Sequence, residues 1–312
     1  MRILVLATAA FAVPSLEALV THGHQIVGCL TQPPRPQGRG LAPLPSPVKT
    51  AATRLGLPVE EPDDLGAHLV DVQSRHPDLG VVISYGRLIP ASYLRTPRHG
   101  MLGVHPSLLP KYRGASPMVW AMLNGESETG VTIFRLNERL DAGDIQLSRT
   151  ASIGPRETAE QLSKRLAHLG AELLVDAVQQ LERGSAVFTP QDERQATDAP
   201  KLTKVQGRID WQHGAESIDR RIRAMRPWPG AYTDWRGEPM KIWSAEVGAE
   251  SVPPGARPGE VVAVSPEALA VATGHGILMI EELQLAGRRH MRVRDFLAGH
   301  PITVGERLGS EE

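Results

Sequence analysis

The 312-residue chain contains few of the residues that mark several protein classes. Its one cysteine, Cys29, cannot form an internal disulfide, and a single thiolate is too few for a thiolate metal site. Because Cys29 lies in a mostly apolar run at residues 25–30, we predict a buried, structural thiol. The 34 Lys and Arg residues are balanced by 35 Asp and Glu residues, which excludes a uniformly basic protein but not a local basic face.

The common signatures of nucleotide and metal sites are also missing. The patterns GxGxxG, GxxxxGK(S/T) and HExxH do not occur, and there is no Cys/His cluster. We therefore expect chemistry that uses neither a metal nor a glycine-rich phosphate loop. The N-terminal apolar run gives way to polar residues before it could form a signal peptide or a membrane span. The expectation is a soluble, cytoplasmic protein with no membrane partner.

What is present predicts a two-domain globular protein. A hydrophobic content of 41% and a charged content of 22% are ordinary for globular chains, and the length suits one large or two medium domains. Short apolar runs of strand length alternate with helical stretches in the first half. The predicted strands are residues 3–6, 26–30, 81–84 and 101–105, and the predicted helices include residues 14–22 and 47–55. This alternation predicts an α/β, Rossmann-like domain with a mostly parallel sheet at residues 1–187.

The alternation of strands and helices ends after a long predicted helix at residues 155–183. Residues 188–206 are polar and are interrupted by Pro190 and Pro200, which predicts a linker. Residues 207–312 contain short β-like runs at 241–245, 260–263, 268–272 and 277–283, which is typical of a smaller, OB-like β-barrel domain. Four tryptophans lie in this region, and we predict that they fill its core rather than stack on bases: Trp211, Trp228, Trp235 and Trp243.

Candidate chemistry is concentrated between His105 and Asp144. His105 ends a predicted strand, and in parallel α/β sheets ligands collect at the carboxyl ends of the strands. Asp141 lies in a later turn. A carboxylate beside an imidazole favours the charged form of the ring and orients it for proton transfer, so the two residues are compatible with an acid–base pair. From spacing alone, a solvated loop histidine and a turn-capping aspartate form an open alternative.

Several longer motifs resemble one enzyme family. They are SLLPKYRGASP at residues 107–117, NGESETGVTI at 124–133, LDAGDI at 140–145, KLTK at 201–204, GRIDW at 207–211 and RPWPGAY at 226–232. In this order they resemble the 10-formyltetrahydrofolate-dependent formyltransferases. The resemblance implies transfer of a formyl group from 10-formyltetrahydrofolate to the α-amino group of methionyl initiator tRNA, for translation initiation.

The resemblance also implies a catalytic trio of Asn, His and Asp. In it His105 moves the proton of the attacking amine, and Asp141 raises the basicity of the histidine. The residues that would line the folate site are Ser107, Leu108, Leu109 and Pro110. The chain departs from the pattern two residues before His105, where Gly103 stands in place of the asparagine.

The chain departs from the family pattern at two positions, Gly103 and Ala7, and the two departures have different consequences. Gly103 offers no side-chain donor to the developing oxyanion, and loss of one such donor typically costs about 10²–10³ in rate. Water, a backbone N–H or Ser107 remain as substitutes. Ala7 stands where the family has a glycine, and it carries a cost if that position needs an unusual backbone angle or a close ligand approach.

Positive charge is concentrated in two stretches. Residues 201–226 contain seven basic and three acidic residues, and residues 18–59 contain no acidic residue. Such stretches can hold a phosphate backbone, although a solvated helix and an ordinary loop can have the same composition. With the resemblance, the predicted tRNA-binding residues are Arg35, Arg39, Lys201, Lys204 and Arg208. Initiator Met-tRNA is the expected partner, and we expect the protein itself to be a monomer.

Two alternatives stay open at this point. A nucleotide-sugar amine N-formyltransferase would share His105, Asp141 and residues 107–110, although the GRIDW and RPWPGAY runs argue against it. A catalytically weakened relative that still binds folate and tRNA would account for Gly103.

Overall fold

The computed structural model describes residues 1–36 and 43–309, and it divides the chain into two compact units. Unit 1 consists of Met1–Met118, Glu128–Ser152 and Leu162–Pro200. Unit 2 consists of Val119–Ser127, Ile153–Gln161 and Lys201–Glu312. Among the described residues, no helix combines the length and the apolar character needed to cross a bilayer.

A seven-stranded sheet forms the centre of unit 1, in the order β5-β2-β1-β6-β7-β8-β9. Its strands are β1 (Arg2–Ala7), β2 (Gln25–Leu30), β5 (Val59–Glu60), β6 (Leu79–Ile83), β7 (Met101–His105), β8 (Glu128–Arg135) and β9 (Ile145–Ser152). The first five of these run parallel, whereas β8 and β9 pair in antiparallel fashion at one edge. A further small hairpin joins β3 (Arg35–Pro36) to β4 (Pro43–Leu44). The prediction of a mostly parallel α/β sheet is confirmed.

The helices of the chain are α1 (Val13–Thr21), α2 (Pro47–Arg54), α3 (Leu65–Ser74), α4 (Ala91–Leu94), α5 (Pro117–Leu123), α6 (Ala159–Glu182), α7 (Ala215–Ala224) and α8 (Val293–Leu297). Helix α2 begins as its sequence predicts, because the Ser46 hydroxyl accepts a hydrogen bond from Lys49 N at 2.9 Å. Helix α6 begins four residues after the predicted start at 155. Reciprocal hydrogen bonds between Thr158 and Gln161 cap it there.

The carboxyl ends of three neighbouring parallel strands meet at one edge of the sheet. These ends are Ala7 of β1, Ile83 of β6 and His105 of β7. The strand order reverses between β1 and β6, and in such sheets ligands bind in the crevice at the reversal. His105 is therefore one strand away from the expected binding crevice.

Unit 2 contains a six-stranded antiparallel sheet, which confirms the predicted β-rich C-terminal region. Its strands are β10 (Ala231–Trp235), β11 (Glu238–Val247), β12 (Val261–Val264), β13 (Leu269–Ala272), β14 (Ile277–Leu285) and β15 (Met291–Arg292). The order is β10-β11-β14-β13-β12, and β15 pairs with Glu282 and Leu283 of β14, beyond the stretch that pairs with β13. Helices α7 and α8 pack against the sheet and close its core.

The tryptophans of unit 2 do not share one environment. Trp211 and Trp235 are buried in the core, where Trp211 Nε1 donates to Thr233 Oγ1 at 2.9 Å. The prediction that all four fill the core is wrong for Trp228, which is 53% exposed, and for Trp243, which is half-buried and lies outside the core cluster. Trp228 lies between Pro227 and Pro229 in a loop, outside the strands whose inward faces form the core.

Candidate active site

His105 lies at the end of β7 with only 6% of its surface exposed. Its Nδ1 is 3.6 Å from Asp141 Oδ2, and its Nε2 is 2.8 Å from the carbonyl oxygen of Tyr112. A carbonyl oxygen can only accept, so Nε2 carries a hydrogen in this arrangement. When the ring takes up a second proton, at Nδ1, each of its nitrogens faces an oxygen. Nδ1 faces Asp141 Oδ2 and Nε2 faces the Tyr112 carbonyl. The structure thus brings together two residues that are 36 positions apart in the sequence.

The loop that carries Asp141 is held in an uncommon conformation. Asp141 has φ +49°, in the left-handed region, and its Oδ2 accepts a hydrogen bond from Gly114 N at 2.8 Å. Gly143 lies so close to the end of β8 that an ideal Cβ would be 1.7 Å from the Arg135 carbonyl oxygen. Only glycine fits there, which explains the glycine of the LDAGD run in structural terms.

The predicted folate-site residues form a compact turn directly after His105. The Ser107 hydroxyl donates to the Lys111 carbonyl at 2.7 Å, and Leu109 N donates to Thr132 Oγ1 at 3.1 Å. Leu108 packs on Gly130, and the Leu109–Pro110 peptide bond is cis. Ser107 is fully buried and its hydroxyl is already engaged, so it is not free to replace a missing oxyanion donor.

Gly103 lies opposite Phe134, which occupies the space of the side chain that this position lacks. The register of β7 and β8 pairs the two residues, and an ideal Cβ on Gly103 would be 2.4 Å from Phe134 Cε1 and 2.9 Å from Leu136 Cδ1. The same ring contacts His105 edge to face, with the centroids 6.4 Å apart. An asparagine at position 103 therefore has no room beside Phe134.

Ala7, the second departure from the family pattern, carries no backbone strain. It ends β1 in extended conformation and is not among the positive-φ residues. The neighbouring Thr8 hydroxyl donates to the Tyr85 carbonyl at 3.1 Å and accepts from Gln32 N at 3.3 Å. The turn after β1 is thus held by side-chain hydrogen bonds to the residues that follow β2 and β6.

The segment from Thr189 to Ala199, predicted as part of a linker, is hydrogen-bonded to the site. Thr189 pairs with Ile145 of β9, and Ala199 N donates to the Arg113 carbonyl at 2.6 Å. Up to Pro200 this segment therefore belongs to unit 1 instead of forming a free connection. The composition of this segment, polar and interrupted by prolines, predicts a linker. Its polar groups form hydrogen bonds that lie outside helices and sheets.

Two residues of that segment hold Arg113, next to the site. Arg113 donates to both carboxylate oxygens of Glu193 at 3.0 and 3.1 Å, and to Gln191 Oε1 at 2.7 and 3.1 Å. The guanidinium groups of Arg113 and Arg139 lower the pKa of Glu193 to about 2. Sequence reasoning missed Gln191 and Glu193, because contacts across about 80 positions leave no periodic signal.

The predicted tRNA-binding residues have different surroundings. Lys201 and Lys204 are exposed, and Arg208 forms an ion pair with Asp234 at 2.9 Å. Arg39 lies outside the described residues, and the structure describes only the backbone of Arg35. Of the other basic residues in 201–226, Arg223 is bound to Asp219 at 2.8 Å, which reduces the free positive charge of that stretch.

Two domain families match the chain, one before and one after residue 200. Residues 1–178 match the formyl transferase family, and residues 201–301 match the formyl transferase C-terminal domain. A methionyl-tRNA formyltransferase of Geobacter metallireducens is 41% identical over 99% of both chains, and one of Solibacter usitatus is 45% identical, also over 99% of both. The chain belongs to the methionyl-tRNA formyltransferase family.

Solved structures show the same fold at lower identity. WlaRD, described as a sugar 3N-formyl transferase in the presence of dTDP and 5-N-formyl-THF, has a TM-score of 0.68 at 17% identity over 93% of this chain and 99% of that one. HypX from Aquifex aeolicus, in complex with tetrahydrofolic acid, has a TM-score of 0.65 at 22% identity. The present chain corresponds to 51% of the length of HypX. At these identities the likeness establishes the fold alone.

Proposed function

We propose that this protein transfers the formyl group of 10-formyltetrahydrofolate to the α-amino group of methionine on initiator tRNA. The full-length relation to methionyl-tRNA formyltransferases supports this acceptor. The observation that carries the chemistry is the position of His105 and Asp141, 3.6 Å apart at the carboxyl edge of a parallel sheet. Formyl transfer from a folate is the common reaction of the family.

In the proposed reaction His105 handles the proton of the attacking amine. The amine nitrogen forms a bond to the formyl carbon, the bond from that carbon to the folate nitrogen breaks, and the proton moves from the amine to the folate nitrogen. Asp141 faces Nδ1, so the atom that passes the proton is Nε2. Nε2 accepts the proton in the tautomer whose ring hydrogen is on Nδ1, facing Asp141, and not on Nε2 as in the contact with Tyr112. Its present partner, the Tyr112 carbonyl, holds the ring in place until an amine takes that position.

The Ser107–Pro110 turn is the proposed folate-binding segment. It follows His105 directly, and its backbone is fixed by the Ser107 and Thr132 hydroxyls. A rigid turn beside the proton-transfer residue can orient a co-substrate with little loss of entropy on binding. We assign formyl transfer to residues 1–187.

Exposed basic residues near the start of unit 2 are the proposed tRNA contacts. Lys201 and Lys204 are exposed, and Arg208 completes the set with Arg35 and Arg39. Within unit 2 a second group suits nucleic acid. Trp243 has the Arg226 and Lys241 cations 5.8 and 5.7 Å from its ring, and Trp228 is exposed in the same RPWPGAY segment. We assign tRNA binding to residues 207–312, together with the basic residues named above that precede them, in a monomeric, cytoplasmic enzyme.

Single-turnover formylation of initiator Met-tRNA tests the proposal. We expect turnover by the unchanged chain and a loss of at least about 100-fold in His105→Ala and Asp141→Asn. The matched control is His168→Ala, which removes an exposed histidine of α6 and leaves the rate unchanged. Formylation of a nucleotide-linked amino sugar instead of Met-tRNA would replace this proposal with the sugar alternative. Binding of folate and tRNA without any turnover would identify a weakened relative.

A further inference from the structure

The side-chain amide of Gln191 links two parts of the site that lie far apart in the sequence. Its Nε2 donates to the carbonyl oxygens of Asp141 and Gly143 at 2.8 and 2.7 Å. Its Oε1 accepts from Nε and Nη2 of Arg113 at 3.1 and 2.7 Å. Both hydrogens of the amide and both acceptor positions of its oxygen are therefore used.

The loop that Gln191 holds needs external support. Asp141 is a non-glycine residue with φ +49°, a conformation that costs about 1 kcal/mol or more and persists only where the surroundings impose it. On the far side of the loop, Arg135 N donates to the Asp144 carbonyl at 2.8 Å. On the near side, the bonds from Gln191 fix the Asp141 and Gly143 carbonyls.

Arg113 connects the same amide to the Asp141 carboxylate. Gly114, the next residue, donates its N–H to Asp141 Oδ2 at 2.8 Å. The guanidinium that fixes this stretch of backbone is itself held by Gln191 and Glu193. Gln191 therefore supports Asp141 through its own backbone carbonyl and through the donor that binds its carboxylate.

We propose that Gln191 is a positioning residue for Asp141, and through Asp141 for His105. It does not touch the reacting atoms. It sets the direction of the Asp141 carboxylate toward His105 Nδ1, and its amide ties the segment after α6 to the loop that carries Asp141. The inference rests on the proposed function for its kinetic consequences, but its structural content does not depend on activity.

The chemistry of the contact explains why an amide is needed. A glutamate at position 191 could still accept from Arg113, but its second oxygen would face two carbonyl oxygens at about the present hydrogen-bond distances. Such an arrangement is unfavourable unless the carboxyl is protonated and donates one hydrogen bond. A methionine of similar length supplies neither donor nor acceptor.

Two variants at this position separate positioning from simple stability. We expect Gln191→Met to lower kcat at least about 10-fold, with KM for either substrate changed by no more than about twofold, because misplacement by 1 Å can cost about 10²-fold. We expect Gln191→Glu to lose activity relative to the unchanged chain as the pH rises, since only the protonated carboxyl can donate. The matched control is Gln195→Met in the same segment, whose amide bonds to the exposed Asp192 instead.

A spectroscopic measurement decides the proposal independently of turnover. The imidazole of His105, assigned by comparison with His105→Ala, is titrated by NMR in the unchanged chain, in Gln191→Met and in Gln195→Met. We expect a shifted titration midpoint in Gln191→Met alone. An unchanged midpoint together with an unchanged kcat would overturn the proposal, as would a loss of kcat that disappears at temperatures where Gln191→Met is fully folded. If the unchanged chain formylates nothing, the proposed function fails, while the NMR comparison still decides the role of Gln191.

Discussion

The ring of Phe134 lies in the space that a side chain at Gly103 would need, 2.4 Å from an ideal Cβ at that position. The two residues are paired across β7 and β8, and both lie beside His105. Position 103 and position 134 therefore have to be considered as a pair.

The pair makes Gly103→Asn a destabilising substitution. Overpacking of a buried position costs about 1–3 kcal/mol, so we expect a lower free energy of unfolding and no gain in formylation. The measurements are urea denaturation and single-turnover rates. Gly299→Ala is the control, because an added Cβ there meets nothing within 4 Å. If Gly103→Asn is as stable as the unchanged chain and faster, the ring does not block this position.

A double-mutant cycle extends that test. In Gly103→Asn combined with Phe134→Ala, the amide gains the space that the ring vacates. We expect the double variant to be more stable than the sum of the two single losses by about 0.5–3 kcal/mol, as is usual for residues in contact. Additive losses would show that the two positions are independent.

The ion pair between Glu193 and Arg113 predicts a dependence of stability on pH. The pKa of Glu193 is lowered from 4.5 to about 2 by Arg113 and Arg139, so the folded state favours the charged carboxylate. The contribution to stability is present above pH 4.5 and is lost as the pH falls toward 2. We expect Glu193→Gln to be less stable than the unchanged chain at neutral pH, with a difference that shrinks across this range. The exposed Glu250→Gln is the control, and a difference that stays constant down to pH 2 contradicts the assignment.

Cys29 is predicted to be unreactive in the folded protein. It is fully buried in β2, and burial raises the pKa of its thiol to about 12. At pH 8 about one thiol in 10⁴ is then ionised, and the thiolate is the reactive form. A chromogenic disulfide reagent at pH 8 should detect no thiol in native protein and one equivalent in guanidinium chloride. Rapid labelling without denaturant would place Cys29 at an accessible position.

The lysines at the start of unit 2 are expected to contribute a salt-dependent part of tRNA affinity. Each phosphate contact changes the slope of log K against log salt by about 0.9 in duplex nucleic acid. We expect the doubly substituted variant Lys201→Gln, Lys204→Gln to bind tRNA more weakly, with a slope reduced by about 2. Arg183→Gln, which removes an exposed cation after α6, should leave the slope unchanged. An unchanged slope in the lysine variant would place the phosphate contacts elsewhere.

The sequence predicts four of the seven strands in the sheet of unit 1, because their signals are local, but it does not identify β5, β8 or β9. The alternation of apolar runs and helical stretches identifies β1, β2, β6 and β7 within two residues at either end, and Ser46 followed by Pro47 identifies the start of α2. The motif around His105 and Asp141 also predicts two side chains that the fold brings to 3.6 Å.

The support of those two side chains could not be predicted in the same way. The bonds of Gln191 to Asp141 and the packing of Phe134 on Gly103 depend on the three-dimensional register and leave no periodic pattern in the chain. The composition of the segment at 189–199 is misleading. It predicts a linker, but its polar residues donate and accept hydrogen bonds at the site. The prediction for Trp228 is wrong in the opposite direction. Its residue type predicts burial, but its position in a loop leaves it exposed.

The ribosome makes the segment at 189–199 after the residues that it supports, and this determines when the site is complete. His105 and Asp141 are both synthesised long before Gln191, which follows Asp141 by 50 positions. A nascent chain ending at residue 187 has every strand of the seven-stranded sheet, yet it lacks the Gln191 amide that binds the Asp141 carbonyl. The site is therefore completed late, when synthesis of residues 201–312 is about to begin.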